Sequence, residues 1–342
     1  MKILIAPLLA FMAAPCLAAK PAGIEFAHHD WELVCDNTRT CRAAGYQSDE
    51  MDPRFAVSVL LQREAGPGRP VTARVRLGVA DPEAEVPKSG AVTMKIDGRT
   101  LGPVKVDKDM TGTLTAAQAG ALIAAVAGTG KVEWTDGSRT WALSGRGASA
   151  VLLKMDEFQG RIGTTGALLR KGGKAEDGVP GPLPIPEVSP ASAGSTEVNL
   201  PPAAQAALLR ELRVELDAET SGCEAFAADQ LTVLKLTSEK LLVQVPCWSG
   251  AYNTGAAYLV ANKAAPFELE LVTADGTDYA AGTITSAQKG RGIGDCWAHK
   301  EWVWDGRRFV LTKAATTGMC RSMLGGAWSL PTYVAKVTRG LR

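Results

Sequence analysis

The chain has 342 residues, and its 37 lysines and arginines nearly balance its 36 aspartates and glutamates. That balance, with no basic run, excludes the electrostatic footprint of a nucleic-acid binder or of a protein held on an anionic membrane surface. Hydrophobic residues make up 46%, enough to bury large cores, so wholesale disorder is excluded and the length fits two domains.

Residues 1–18 read as a signal peptide. Lys2 supplies the positive start, and Ile3 to Ala14 form an apolar run broken only by Pro7. Cys16 and Ala18 then give small residues where a signal peptidase reads, so cleavage is expected after Ala18, with Ala19 close behind. The run is shorter than the ~20 residues that span a bilayer. A lipoprotein signal at Cys16 is the rival reading, but Pro15 stands where a small residue is wanted. No later segment is apolar enough for stable membrane insertion, so the mature protein is expected to be periplasmic or secreted.

An N-terminal β-rich domain is expected over residues 24–170. Trp31 to Cys35, Phe55 to Gln62 and Val71 to Val79 read as strands, and Ala91 to Ile96 ends at the hairpin signal Asp97-Gly98. Thr115 and Gln118 form a capping box for a helix over Ala116 to Ala127, which stops at Gly128-Thr129-Gly130 with glycine expected in the left-handed region. Lys131 to Thr135 and Ser138 to Leu143 flank Asp136-Gly137 as a second hairpin. Ala148 to Phe158 reads as a helix with Val151, Leu152, Met155 and Phe158 on one face.

Residues 171–202 form a Pro/Gly-rich stretch, read as an interdomain linker of extended, semi-rigid character that buries no core. A C-terminal domain is expected over residues 203–342. It opens with a helix from Ala203 to Leu216 and continues as an antiparallel sheet. Its strands are Leu231 to Leu236, Lys240 to Val245, Ala256 to Val260, Phe267 to Val272, Thr283 to Ser286, Cys296 to Trp304, Arg308 to Lys313 and Tyr333 to Val337. Asp305-Gly306 marks a hairpin. The expected class is α+β, β-rich: two domains of antiparallel sheet with a few helices, stapled by disulfides.

Of seven cysteines, all but Cys16 lie beyond the leader, as Cys35 and Cys41, Cys223 and Cys247, Cys296 and Cys320. Six thiols allow fifteen connectivities. Separate domains pair Cys35 with Cys41 and leave three arrangements for the other four, of which nearest-neighbour pairing is the expectation. Loop-closure arithmetic gives roughly 3.5 kcal/mol for a 25-residue loop and about 2–2.5 for a seven-residue one. Neither Cys-x-x-Cys nor a zinc-finger spacing is present, so structural cystines outweigh redox or metal chemistry.

The search for a catalytic constellation fails. His28-His29-Asp30 resembles a metal clip but lacks a partner motif and reads better as a solvated approach to the first strand. His299 could serve as a general base but reads better as a polar residue on a strand. Gly-x-Ser-x-Gly is absent, and an even mature cysteine count leaves no free thiol for a Cys–His enzyme. Gly128-Thr129-Gly130-Lys131 ends a helix where a phosphate loop would open one. Asp107 to Gly112 begins like a calcium loop but would have Gln118 in place of the last glutamate, and Gly290-x-Gly292-x-Gly294 lacks a dinucleotide fingerprint. Asp156-Glu157 is the best carboxylate pair and reads as helix-terminal charge. No cofactor or metal is therefore expected. Trp297, Trp302, Trp304 and Phe309 crowd one hairpin and are the candidate binding residues, against the plainer reading of a sheet core.

Four stretches carry a family resemblance: Ser144-Gly145-x-Gly147-Ala148-x-Ala150, Met155 to Arg161, Gly294-x-Cys296-Trp297 and Glu301-x-Val303-Trp304-Asp305-Gly306-x-x-Phe309. In these the chain resembles the bacterial group known as domain of unknown function 1176 over almost its whole mature length. The resemblance implies an exported six-cysteine protein and brings no catalytic residues. Trp31 and Cys35, with the order of elements, also make the first domain similar to the invasion-associated locus B domain, which would imply an envelope or host-interaction role. The leading expectation is a binding or interaction module of the cell envelope, its partner a protein or glycan there. The alternatives are an envelope hydrolase of wall glycan or peptide using carboxylates distant in sequence, and an enzyme inhibitor whose cystine-braced loop lies at Gln288 to Gly294.

Overall fold

The structure, a computed structural model, describes residues 23–78, 90–217, 223 and 226–338; the expected signal peptide lies outside them. The N-terminal half builds β1 (Ile24–His28), β2 (Trp31–Cys35), β3 (Cys41–Tyr46), β4 (Val57–Arg63), β5 (Val71–Leu77), β6 (Ala91–Ile96), β7 (Arg99–Lys105), β8 (Thr111–Thr113), α1 (Ala116–Ala127), β9 (Val132–Thr135), β10 (Thr140–Leu143) and α2 (Ala148–Phe158). One antiparallel sheet has the order β1-β2-β3-β4-β5-β8, a second the order β10-β9-β6-β7.

Strand alternation sorts the first sheet into two faces. Trp31, Leu33, Val57, Val59, Leu61, Ala73 and Val75 join Leu122 and Val126 of α1, Val151, Leu152 and Met155 of α2, and Trp134 and Trp141 in one core. The other face carries Val34, Ala44, Tyr46 and Leu60, which pack against Met323, Ala327, Trp328 and Leu330 from the far end of the chain. Both faces are thus covered, which explains why β4 reads as a nearly unbroken apolar run.

The helix signals act as the sequence suggests at the start of α1. Thr115 accepts from the Gln118 amide, and the Gln118 side chain accepts from the Thr115 amide. Its end differs. Gly128 has φ −106° and not a left-handed value, and Gly130 is required for space, because a Cβ there would lie 2.9 Å from the Ala125 Cβ. The His28-His29-Asp30 segment is the turn between β1 and β2, with His28 paired to Trp31 and His29 at φ 52°.

The C-terminal half contributes β11 (Glu187–Val188), β12 (Thr196–Glu197), α3 (Pro202–Glu215), β13 (Thr232–Lys235), β14 (Lys240–Ser249), β15 (Thr254–Asn262), β16 (Glu270–Gly276), β17 (Asp278–Ala280), β18 (Thr283–Lys289), β19 (Trp297–Trp304), β20 (Phe309–Thr316), β21 (Leu330–Val334) and β22 (Lys336–Val337). Two meanders result, β12-β13-β14-β15-β16 and β17-β18-β19-β20-β21. Val243, Val245, Ala257 and Leu259 pack on Leu208 and Leu212 of α3. Leu242, Tyr258 and Val260, on the other face, pack on Ile284, Trp304 and Phe309 of the second meander. The layers are helix, sheet and sheet.

Residues 171–202 are hydrogen-bonded to both halves. The Leu183 amide donates to the Thr38 carbonyl, Ala191 to Trp304 and Gly194 to Leu236, while β11 pairs in parallel with β22. Val179 and Val188 are buried. The stretch therefore does bury apolar side chains. The three cystines are nearest-neighbour: Cys35–Cys41, Cys223–Cys247 and Cys296–Cys320. The fold is β-rich antiparallel sheet with three disulfides.

Candidate functional site

The four aromatics of the β19–β20 hairpin do not form one surface. Trp304 is 1% exposed and Phe309 8%, with ring centroids 5.3 Å apart. Trp302 packs against the same core. Because β19 alternates without interruption along β18, Trp302 and Trp304 share the covered face while Trp297 lies on the opposite one. Trp297 stacks on His299 at 5.9 Å with the Lys289 ammonium 5.4 Å from its ring centre. Its Nε1 donates to the Gly294 carbonyl at 2.9 Å. Burial, with Lys313 nearby, holds His299 below the usual imidazole range.

Trp297 leads into a double loop that sequence reasoning only partly marked. Residues 290–295 and 321–326 lie side by side, joined by the Cys296–Cys320 cystine and by the Gly325 amide donating to the Gly294 carbonyl at 2.9 Å. Asp295, wholly buried, is the shared anchor. Its carboxylate accepts from Arg291 Nε and Nη2 of its own loop at 2.8 and 2.5 Å and from the Ser322 amide of the other at 2.6 Å. Burial opposes its charge, but the Arg291 guanidinium and the Ser322 amide outweigh it and keep the carboxyl below the usual range.

Three large apolar side chains of this double loop and the turn beside it are exposed. Ile293 is 60% exposed, Leu324 66% and Tyr252 47%. Tyr252 comes from the β14–β15 turn, where its hydroxyl donates to the Gly290 carbonyl at 3.3 Å and Asn253 bonds Lys289 through both side-chain atoms. Three large apolar side chains thus stand in solvent on backbone fixed by a cystine, a bidentate ion pair and a neighbouring turn. Such a tip has little conformational freedom left to lose. No periodicity or motif announces it; the only sequence signals are the adjacent cysteines and glycines.

The inner side of the second loop is fastened to the N-terminal sheet. Trp328 Nε1 donates to Ser58 Oγ at 2.7 Å. Arg321 pairs with buried Asp30 at 2.9 Å and also with Asp49. Glu32 accepts from the Tyr46 hydroxyl at 2.5 Å and from the Met319 amide at 2.7 Å. Burial raises the Glu32 carboxyl above its ordinary value.

The carboxylates singled out in the sequence are employed elsewhere. Asp156 is buried and accepts from the Leu168 and Leu169 amides, Glu157 pairs with Lys154 at the surface, and His299 stands on another sheet. Nearby, Arg161 is fully buried between Gln159, Glu176 and the Gly66 carbonyl, so the stretch Met155 to Arg161 is a folding device. Asp30 of the supposed metal clip is taken by Arg321 and by Ser144. Among the described residues, one group of three ligand-type side chains lies close together, Asp295 with Cys296 and Cys320, but its two sulfurs are bonded to each other.

Three comparisons bear on this geometry. The chain is 27% identical to the Uncharacterized protein YpfG of Escherichia coli (strain K12), with 93% of this chain and 95% of that protein covered. No solved structure matches the chain. Residues 25–335, which contain both sheet halves and the double loop that joins them, match the family described as Protein of unknown function (DUF1176), and the chain belongs to that family.

Proposed function

We propose that the chain is an exported binding protein of the bacterial cell envelope and that it engages a protein partner through Tyr252, Ile293 and Leu324. The observation that carries this reading is the exposed apolar tip held by Cys296–Cys320 and Asp295. Export is supported by the leader read from residues 1–18 and by three cystines, which persist in oxidising compartments. Among the described residues no helix is long and apolar enough to cross a membrane. Trp297 adjoins the tip through the Gly294 carbonyl, whereas Trp302, Trp304 and Phe309 pack in the core between the two C-terminal sheets.

The test is affinity capture from envelope extract with the oxidised mature protein and with the double variant Ile293→Asp, Leu324→Asp. Both positions are exposed, so the variant keeps its melting temperature. The expected result is a partner retained by the parent and lost about tenfold or more by the variant, equivalent to ~1.4 kcal/mol. Equal retention by both would overturn the reading.

A further inference from the structure

Across the β14–β15 turn from the tip lies a cleft of about 480 Å³. An irregularity in the β14–β15 ladder sets Trp248 opposite Gly255, with Cys247 as the extra residue; such bulges re-aim side chains. A Cβ at Gly255 would run into the indole, so glycine is what lets the ring lie against the strand. Trp248 Nε1 donates to Asp275 Oδ1 at 3.2 Å, which fixes the ring's rotation. The cleft wall is therefore a preset aromatic plate.

The rest of the lining has one chemical character. Gln230, Gln244, Ser249, Thr254 and Thr277 supply amides and hydroxyls, and among the described residues no acidic, basic or histidine side chain lines the cleft. Each of these groups can donate and accept. Among the described residues no side-chain hydrogen bond satisfies the Gln244 amide, and it is half-buried. Among the described residues the lining itself carries no charge, the Asp275 carboxylate being taken up by Trp248 Nε1 and by Lys300, and a purely apolar ligand would leave the Gln244 amide unpaired at a cost. The complement of a fixed aromatic plate ringed by uncharged donor–acceptor groups is a molecule with an apolar C–H face and hydroxyls at its edge.

We infer that this cleft binds an uncharged carbohydrate, stacked on Trp248 and hydrogen-bonded by Gln244. The volume suits one or two sugar rings. The site is separate from the Ile293–Leu324 tip, so one molecule can hold a glycan and a protein together.

The experiment is a calorimetric and saturation-transfer NMR titration of the oxidised mature protein with two uncharged trisaccharides, one of β-1,4-linked N-acetylglucosamine and one of α-1,4-linked glucose. The first stands for wall-type glycan and the second for storage-type glucan. Saturable binding of at least one is expected, with about a tenfold or greater loss in Trp248→Ala and a several-fold loss in Gln244→Leu. Gln244→Leu keeps the fold readable if the tryptophan variant fails to fold. The Ile293→Asp, Leu324→Asp protein should bind sugar as the parent does, which separates this inference from the protein-partner reading. Absence of binding of both sugars at millimolar concentration, or affinity unchanged in Gln244→Leu and Trp248→Ala, would overturn it.

Discussion

At the scale of single residues, Asp295 decides whether the tip is rigid. Its two oxygens hold one loop through Arg291 and the other through the Ser322 amide. Charged hydrogen bonds of this kind contribute about 1.5–3 kcal/mol each when broken singly. Asp295→Asn keeps the shape but loses the charge, and it is expected to lower stability by about 1–3 kcal/mol and to speed exchange of the Ser322 amide proton. The pH dependence has a definite sign. A carboxyl held below its ordinary value stabilises the fold at pH above the unfolded value, and that contribution is lost as pH falls through the folded one. The parent should therefore lose amide protection at Ser322 in acid, whereas Asp295→Asn should show less of that dependence. An identical acid profile in both would remove Asp295 from this role. The sequence there shows an aspartate beside a cysteine and three glycines, and nothing in that pattern says that the carboxylate turns inward. Sequence reading grouped Trp297 with Trp302 and Trp304, although strand parity alone already separates the first from the other two.

Element by element, the strands that sequence reading located are those whose apolar residues meet a core on at least one face. Val57–Arg63, Lys240–Ser249 and Trp297–Trp304 are rich in Val, Leu or Trp and were legible to within a few residues. β3 was not. Its Cys-Arg-Ala-Ala-Gly-Tyr has little strand propensity, and the reason is packing: Trp31 faces Gly45 across the ladder, and a Cβ at Gly45 would occupy the indole. The glycine and alanines are small because the neighbouring strand is large, which only the register reveals. β7, with Gly102 and Pro103, was hidden for a similar reason of composition. A converse case is β14, where Leu241, Leu242 and Val243 are all buried between α3 and the second meander. Truncating Leu242→Ala thins the cluster it shares with Tyr258 of its own sheet and Ile284 and Trp304 of the other and should cost about 2–5 kcal/mol in denaturant unfolding. Thr115→Ala, which deletes only the α1 cap, should cost about 1 kcal/mol. A smaller loss for Leu242 than for Thr115 would mean that the inter-sheet core is not where the structure puts it.

For the molecule as a whole, the question is how two sheet halves come to be one object. Composition showed a proline-rich span between them but could not show that residues 319–330 return to the first sheet and cover its second face. The information lies in long-range pairs such as Trp328 with Ser58 and Arg321 with Asp30, more than 250 positions apart, and no local pattern encodes them. That return also buries Glu32, whose carboxyl is raised by desolvation although Tyr46 and the Met319 amide partly offset it. A carboxyl raised in the folded state favours folding fully below its unfolded value, and that advantage is lost as pH rises through the folded one. As pH rises and the carboxyl ionises, the buried charge therefore weakens the junction. Glu32→Gln retains an oxygen that can accept from both Tyr46 and Met319, and it removes the charge. The Tm of Glu32→Gln is expected to exceed the parent's at pH 7, by a few degrees at most for an effect of about 1 kcal/mol. At pH 4 the parent's raised carboxyl carries less charge than at pH 7, so the advantage should shrink. Differential scanning calorimetry at the two pH values reads both numbers. A lower Tm for the variant at pH 7 would show instead that Arg321 and the two donors make the Glu32 charge a net bond between the halves.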